Sequence, residues 1–83
     1  MWIRSQDLYM LIKCERLSAR QCITRKYCII GDESVLLGEY STEEKALKVL
    51  DQMQYNMEPF EHEPTMVFQM PQDEEVEIWF QKR

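Results

Sequence analysis

The chain has little glycine, proline, histidine or cysteine, and these shortages exclude several classes of protein. Its 83 residues include 2 Gly, 3 Pro, 3 Cys and 1 His. So few glycines and prolines, without a short repeat, exclude collagen-like and low-complexity chains. The two glycines, Gly31 and Gly38, fit neither the GxxxxGK[ST] nor the GxGxxG pattern of phosphate-binding loops. The sequence therefore contains no motif of a nucleotide-dependent enzyme.

Long apolar runs are also missing. No stretch approaches the ~18–20 consecutive apolar residues that a membrane-spanning helix needs. The first seven residues contain Arg4 and Asp7 and no apolar segment of the kind found in secretory signals. We therefore predict a cytoplasmic protein without a membrane partner.

The composition predicts one small ordered domain covering residues 1–83. Hydrophobic residues make up 45% of the chain and aromatic residues 11%, which is too apolar for a disordered segment. A domain of this length buries only a little over ~60% of the surface that its unfolded chain exposes. Its core is therefore expected to be marginal, and association with a second copy or a partner would stabilise it.

Charge is unevenly distributed along the sequence. The net charge is −5, but residues 1–31 contain six basic and two acidic side chains, whereas residues 32–83 contain four basic and thirteen acidic ones. Such asymmetry is typical of a basic surface for an anionic partner, or of two complementary surfaces of a self-associating protein. The overall acidity should still repel nucleic acid.

Alternating and β-branched residues predict an antiparallel β-meander over residues 1–40. In residues 9–15, the period of two places Met10, Ile12 and Cys14 on one side of a strand, which we expect to face the core. The residues that follow are predicted to be a hairpin turn at 16–21, a strand at 22–30, a turn at 31–34 and a strand at 35–40.

A helix is predicted over residues 41–57. Ser41 stands three residues before Glu44, which is the spacing of a capping box. The apolar residues that follow recur at helical spacing, and the polar ones between them are expected to face water. The predicted apolar stripe is Ala46, Val49, Leu50, Met53 and Met57, and the predicted water-facing residues are Lys45, Lys48, Asp51, Gln52 and Gln54.

The last third of the chain is predicted to contain an acidic loop at residues 58–65, a strand at 66–71 and an acidic, then aromatic, tail at 72–83. The tail fits a short helix begun by Asp73 and fits an alternating strand equally well. We therefore predict an α+β fold, in which an antiparallel meander of about four strands carries one packed helix and a returning C-terminal strand.

Three segments resemble a known pattern. They are MWIRSQD at residues 1–7, LGEYSTEEKA at 37–46 and FQMPQDE at 68–74. Together they resemble a family of small proteins of uncharacterised function from Gram-positive bacteria and their phages and mobile elements. The resemblance implies a bacterial or phage origin and a cytoplasmic location, and it brings no catalytic residue, cofactor or ligand.

The sequence does not predict an enzyme, a metal site or a cofactor. The single histidine, His62, lies between Glu61 and Glu63, and adjacent side chains do not readily converge on one ion. The three cysteines are odd in number and lack CxxC spacing, which argues against a disulfide framework or a zinc site. We expect Cys14, Cys22 and Cys28 to be reduced thiols packed in strands.

The leading functional prediction is a non-enzymatic accessory protein that binds a protein partner or itself, as in a homodimer. Aromatic residues dominate protein interfaces, and the predicted interface residues are Trp2, Trp79 and Phe80. One alternative is a nucleic-acid-binding regulator that uses a basic hairpin. Its residues would be Lys13, Arg16, Arg20, Arg25 and Lys26. A second alternative, suggested by the phage resemblance, is an acidic inhibitor of a host nucleic-acid-binding protein, which would act through the carboxylates of residues 73–77.

Overall fold

Two three-stranded sheets and two helices build the fold in a computed structural model. The structure describes residues 2–57 and 67–81, and for Asn56, Met57, Phe80 and Gln81 it describes the backbone only. The predicted acidic loop at 58–65 lies outside the described residues. The elements in chain order are β1 (Trp2–Arg4), β2 (Leu11–Lys13), β3 (Leu17–Gln21), β4 (Tyr27–Gly31), β5 (Val35–Tyr40), α1 (Glu43–Met57), β6 (Val67–Gln69) and α2 (Asp73–Gln81).

The predicted α+β class is confirmed, but the strands do not form one continuous meander. Sheet A has the order β2-β1-β6, and sheet B is a meander of β3-β4-β5. The returning strand β6 pairs with β1 in parallel, whereas the other pairs are antiparallel. A parallel neighbour requires a long crossover connection, and the segment between β1 and β6 supplies it.

The position of the first hairpin of sheet B corrects the sequence prediction. Residues 17–21 form a strand, and the turn lies at residues 22–26 instead of 16–21. Two backbone bonds close this turn, from Cys22 N to Lys26 O at 2.7 Å and from Arg25 N to Cys22 O at 3.0 Å. Arg25 adopts a left-handed conformation with φ of 72°. The sequence prediction missed this turn because it contains no glycine, which is the usual residue at such a φ.

The start of α1 is one residue later than the capping-box pattern predicts. Thr42 is the N-cap, because its Oγ1 accepts the N–H of Lys45 at 3.2 Å and its carbonyl accepts the N–H of Ala46. Ser41 bonds instead to the carboxylate of Asp73, through both its N–H and its hydroxyl. The predicted Ser41 cap is therefore wrong, and Ser41 joins the starts of the two helices.

The tail is a helix from Asp73 to Gln81, which decides between the two predicted alternatives. Gln72 occupies its N-cap, and the carboxylate of Glu75 accepts the N–H of Gln72 at 2.7 Å. This is one half of a capping box. The helix packs against α1 and buries Val76 in the core.

The core lies between the sheets and the helices. Its fully buried members come from both sheets and both helices, namely Ile3, Cys14, Ile29, Leu37, Tyr40, Ala46, Val49, Met53, Met70 and Val76.

Gln6 joins sheet A to the exposed edge of β5. Its side chain accepts the N–H of Glu39 at 2.9 Å and donates to the Glu39 carbonyl at 3.0 Å, as a neighbouring strand would. Its backbone N–H donates to the carbonyl of Leu37. Gln6 thereby covers a sheet edge that would otherwise be unpaired.

Candidate functional site

The outer face of sheet A consists of six side chains that point away from the core. Each of its strands has three residues, and the middle residue points inward in each case. The register pairs Trp2 with Lys13 and with Val67, and pairs Arg4 with Leu11 and with Gln69. The outer face therefore consists of Trp2, Arg4, Leu11, Lys13, Val67 and Gln69.

This face combines exposed apolar side chains with positive charge. Trp2 is 37% exposed, Leu11 53% and Val67 49%. Lys13 lies directly opposite Trp2. The six residues of the face include two cations, Arg4 and Lys13, and no carboxylate. Among these six residues, apolar area therefore lies beside two cations and no carboxylate, a composition found at protein interaction sites.

The starts of the two helices form a second surface of opposite charge. We define the helix-start surface by its exposed carboxylates, which are Glu43, Glu44, Glu74, Glu75 and Glu77. Its two halves are held together by Lys45, whose Nζ lies 3.0 Å from Asp73 Oδ2 and 2.8 Å from Glu77 Oε1. The hydrogen bonds from Ser41 to Asp73 reinforce the same junction.

Lys45 is buried, which corrects the prediction that it faces water. Hydrogen bonds to Glu77 and Asp73 raise its pKa, so that the ammonium stays charged. Burial by itself would raise the pKa of Asp73, but the bonds from Ser41 and Lys45 outweigh it and hold that pKa below its usual value. The junction is therefore ionised on both sides at neutral pH.

We expect the Asp73→Asn variant to lose a pH-dependent part of the stability. Because folding lowers the Asp73 pKa, its contribution is fully present above the unfolded-state pKa of about 3.9 and is lost as pH falls through the lower folded-state value. The deficit in unfolding free energy relative to wild type should therefore be largest near neutral pH and shrink below about pH 4. Urea unfolding across pH measures it.

Other carboxylates with lowered pKa, Asp7 and Asp32, are present in both proteins and cancel in that difference. Asp51→Asn, at an exposed position of α1, is the matched control and should cause little loss at pH 7. A deficit for Asp73→Asn that stays constant into strong acid would contradict the proposed ionised junction.

The three predicted interface residues are not brought together. Trp2 lies on the outer face of sheet A. Trp79 is half-buried and packs against the core, and the side chain of Phe80 lies outside the described residues. Sequence reasoning found Trp2 but missed Arg4, Leu11 and Val67 beside it. The sequence indicates which residues alternate within a strand, but it does not indicate that β6 pairs with β1.

The five predicted nucleic-acid-binding residues lie on several elements of the fold. Lys13 belongs to sheet A, whereas Arg16 and Arg25 flank β3 and its turn at opposite ends of a strand about 16 Å long. Arg16 forms an ion pair with Glu33. The remaining two are Arg20 on β3 and Lys26 in the turn. Arg16 and Arg20 line one pocket together with Glu33, so part of the predicted basic set is brought together, while Lys13 belongs to the other sheet.

The structure corrects the prediction that Cys22 and Cys28 are reduced thiols. Cys22 and Cys28 form a disulfide, with their Cα atoms 6.1 Å apart, instead of two reduced thiols. Cys14 is buried in the core. Within the described ranges, the group that could hold a metal ion is Cys22, Cys28 and Glu39, whose ligand atoms lie within 4.8 Å of one another. His62 lies outside those ranges.

Comparisons with family models, with curated proteins and with solved structures find no significant match to this chain. Neither helix in the described part of the chain is long and apolar enough to cross a membrane. The functional argument therefore depends on the surfaces themselves.

Proposed function

We propose that this chain is a non-enzymatic interaction protein that associates with further copies of itself. The outer face of sheet A of one copy binds the helix-start surface of the next. The observation that supports this proposal is the exposure of Trp2, Leu11 and Val67 on a face with two cations and no carboxylate.

Charge favours a head-to-tail arrangement over a symmetric one. Stacking two outer faces of sheet A would place Arg4 and Lys13 of both copies together, and like charges across an interface are unfavourable. The helix-start surface offers five exposed carboxylates to the same cations. Trp2 supplies the apolar area, since buried tryptophans are frequent hot spots of protein interfaces.

A head-to-tail contact has a consequence for the size of the assembly. Because each copy uses two different surfaces, association continues until a ring closes or an open chain forms. The mass in solution should therefore rise with protein concentration beyond that of a dimer. It should fall as salt is added, because salt screens exposed charges.

Light scattering over a range of protein and salt concentrations tests the proposal. Trp2→Ala should weaken association by roughly 30-fold, the effect of losing about 2 kcal/mol at a hot spot. Leu36→Ala removes an apolar side chain from sheet B that is at least as exposed as Trp2, and it is the matched control. A wild-type chain that stays monomeric at every concentration would refute the proposal.

A mixing experiment tests the head-to-tail geometry. Trp2→Ala retains only the helix-start surface, whereas Glu44→Gln with Glu74→Gln retains only the face of sheet A. At a protein concentration at which each variant alone is monomeric, an equimolar mixture should form a complex that stops at two chains. If a short single-stranded oligonucleotide binds the outer face of sheet A more tightly and Trp2→Ala abolishes that binding, nucleic-acid binding by this face replaces self-association.

A further inference from the structure

Cys22, Cys28 and Glu39 lie together on the side of sheet B that faces away from the core. Cys28 on β4 is paired with Glu39 on β5, so their side chains share one face. Cys22 follows β3 and is bonded to Lys26, which makes it the diagonal neighbour of Cys28 on that same face. The cluster therefore combines one residue from β4, one from β5 and one that directly follows β3, at the same end of sheet B.

The burial of Cys28 is unusual for this face. Its side chain is almost fully buried, yet it is not a member of the main core cluster. Cys22 and Glu39 are half-buried beside it. Cys28 is thus enclosed, while Cys22 and Glu39 are partly exposed to solvent. This arrangement resembles a metal centre with an accessible coordination position.

The backbone around the cluster is held firmly. Gln6 binds both the N–H and the carbonyl of Glu39. The turn after Cys22 is closed by two backbone bonds, one of which is donated by Arg25 to the Cys22 carbonyl. Ligands on a rigid scaffold lose little conformational entropy on binding, so these bonds favour a preorganised site.

We infer that, in the dithiol state, Cys22, Cys28 and Glu39 bind a thiophilic divalent cation such as Zn²⁺, with water in the remaining position. Zn–S bonds of about 2.3 Å and Zn–O bonds of about 2.0 Å place tetrahedral ligand atoms roughly 3.5 Å apart. Ligand atoms within 4.8 Å of one another need only small side-chain movements to reach that spacing. Thiolates favour zinc over Mg²⁺ or Ca²⁺.

The disulfide and the metal site exclude each other. In the disulfide, the two sulfurs are bonded to one another. Two molecules of a low-molecular-weight thiol reduce this bond, giving two protein thiols and one small-molecule disulfide. Zn²⁺ then binds the two thiolates and displaces two protons. Arg20 on β3 is paired with Cys28 on β4. This register places a positive charge on the same face of sheet B as the three anionic ligands.

The test uses the full chain reduced with a phosphine, with Co²⁺ as a spectroscopic probe and Zn²⁺ as its competitor. We expect one Co²⁺ per chain, with the intense sulfur-to-cobalt absorption of a thiolate site, and its displacement by Zn²⁺. Glu39→Gln removes a ligand, so binding should weaken by at least the roughly 10-fold that the loss of an outer-shell partner costs. Glu15→Gln, an exposed position outside the cluster, is the matched control and should leave it unchanged.

Two further variants assign the site. His62→Ala should bind Co²⁺ as wild type does, which separates this cluster from the segment containing His62. Cys22→Ser leaves one thiolate, so it should weaken Co²⁺ binding and lower the sulfur-to-cobalt absorption. Cys14 is a poor competing ligand, because burial raises the pKa of its thiol and disfavours the thiolate.

The oxidised wild-type protein provides a test that needs no substitution. It should not bind Co²⁺ at this site, and reduction should restore binding. Equal affinity of the oxidised and reduced proteins would overturn the inference. So would an unchanged affinity of Glu39→Gln, or an absorption that depends on His62.

Discussion

Replacing Tyr40 with alanine is expected to lower the free energy of unfolding by about 3–5 kcal/mol, as for other large aromatic side chains in protein cores. Tyr40 is fully buried at the end of β5 and contacts both the core and the segment that leads into α2. Its hydroxyl donates to the carbonyl of Pro71 at 2.8 Å. Urea unfolding monitored by circular dichroism measures the loss.

The glycine two residues earlier shows how closely the ring is packed. A Cβ on Gly38 would lie 3.1 Å from the Tyr40 hydroxyl and 3.3 Å from a ring carbon. Because Gly38 has no side chain, the Tyr40 ring can cover it, as aromatic residues often cover glycines in sheets. Alanine at position 40 would leave the space of the ring empty, and a cavity adds to the lost transfer free energy.

Tyr40→Phe isolates the hydroxyl and is the control. It should cost about 1 kcal/mol, because the ring stays and one buried hydrogen bond is lost. Burial, with the carboxylates of Asp73 and Glu75, raises the pKa of Tyr40, so the phenol is neutral and able to donate. A cost as large for phenylalanine as for alanine would contradict a role based on packing.

The raised pKa of Tyr40 also predicts how the stability changes at alkaline pH. Its contribution to stability is fully present below the unfolded-state pKa of about 10 and is lost as pH rises above it. The difference between wild type and Tyr40→Phe should therefore decrease above about pH 10. Constancy of that difference would show that the phenol ionises alike in the folded and unfolded chain.

Replacing Gly31 with alanine should destabilise the protein by about 1–3 kcal/mol, because it overpacks a tight contact. A Cβ at this position would lie 2.6 Å from Cys14 Sγ and 3.1 Å from Leu37 Cδ1, and all three residues are buried. The link between β2 and β3 therefore passes so close to β4 that a methyl group does not fit.

The double variant Gly31→Ala with Cys14→Ala tests that cause directly. Cys14→Ala alone should cost about 1 kcal/mol, the order of one buried methylene-sized group. Because it removes the sulfur that the new methyl group would meet, the double variant should be little less stable than Cys14→Ala alone. The coupling in this double-mutant cycle is the quantity to measure. Simple additivity would mean that Cys14 is not the obstacle.

Much of the secondary structure was predictable because local signals agreed. β5 occupies residues 35–40 as the pattern predicts, and α1 ends at Met57 as predicted. Its buried residues Ala46, Val49 and Met53 follow the predicted stripe. The hairpin after β3 was misplaced because its left-handed residue is Arg25, and the surrounding structure supports a conformation for which the sequence offers no signal.

The candidate surfaces were less predictable, because they depend on pairing between distant segments. Helical periodicity placed Lys45 in water, but α2 covers it with Asp73 and Glu77. Trp2 was singled out by residue type alone, and its neighbour Val67 is 65 residues away in sequence. The cysteine spacing fits no zinc motif, yet a register in sheet B brings Cys22, Cys28 and Glu39 together.

The sequence by itself determined the α+β class and a chain with a basic first part and an acidic second part. Composition, hydrophobic period and charge distribution are local properties, and they carry that information directly. Only the tertiary structure decided which strands pair, that the tail is a helix packed on α1, and which charges are buried or exposed. These features depend on burial and hydrogen bonding between residues far apart in the chain. No local sequence pattern predicts such contacts.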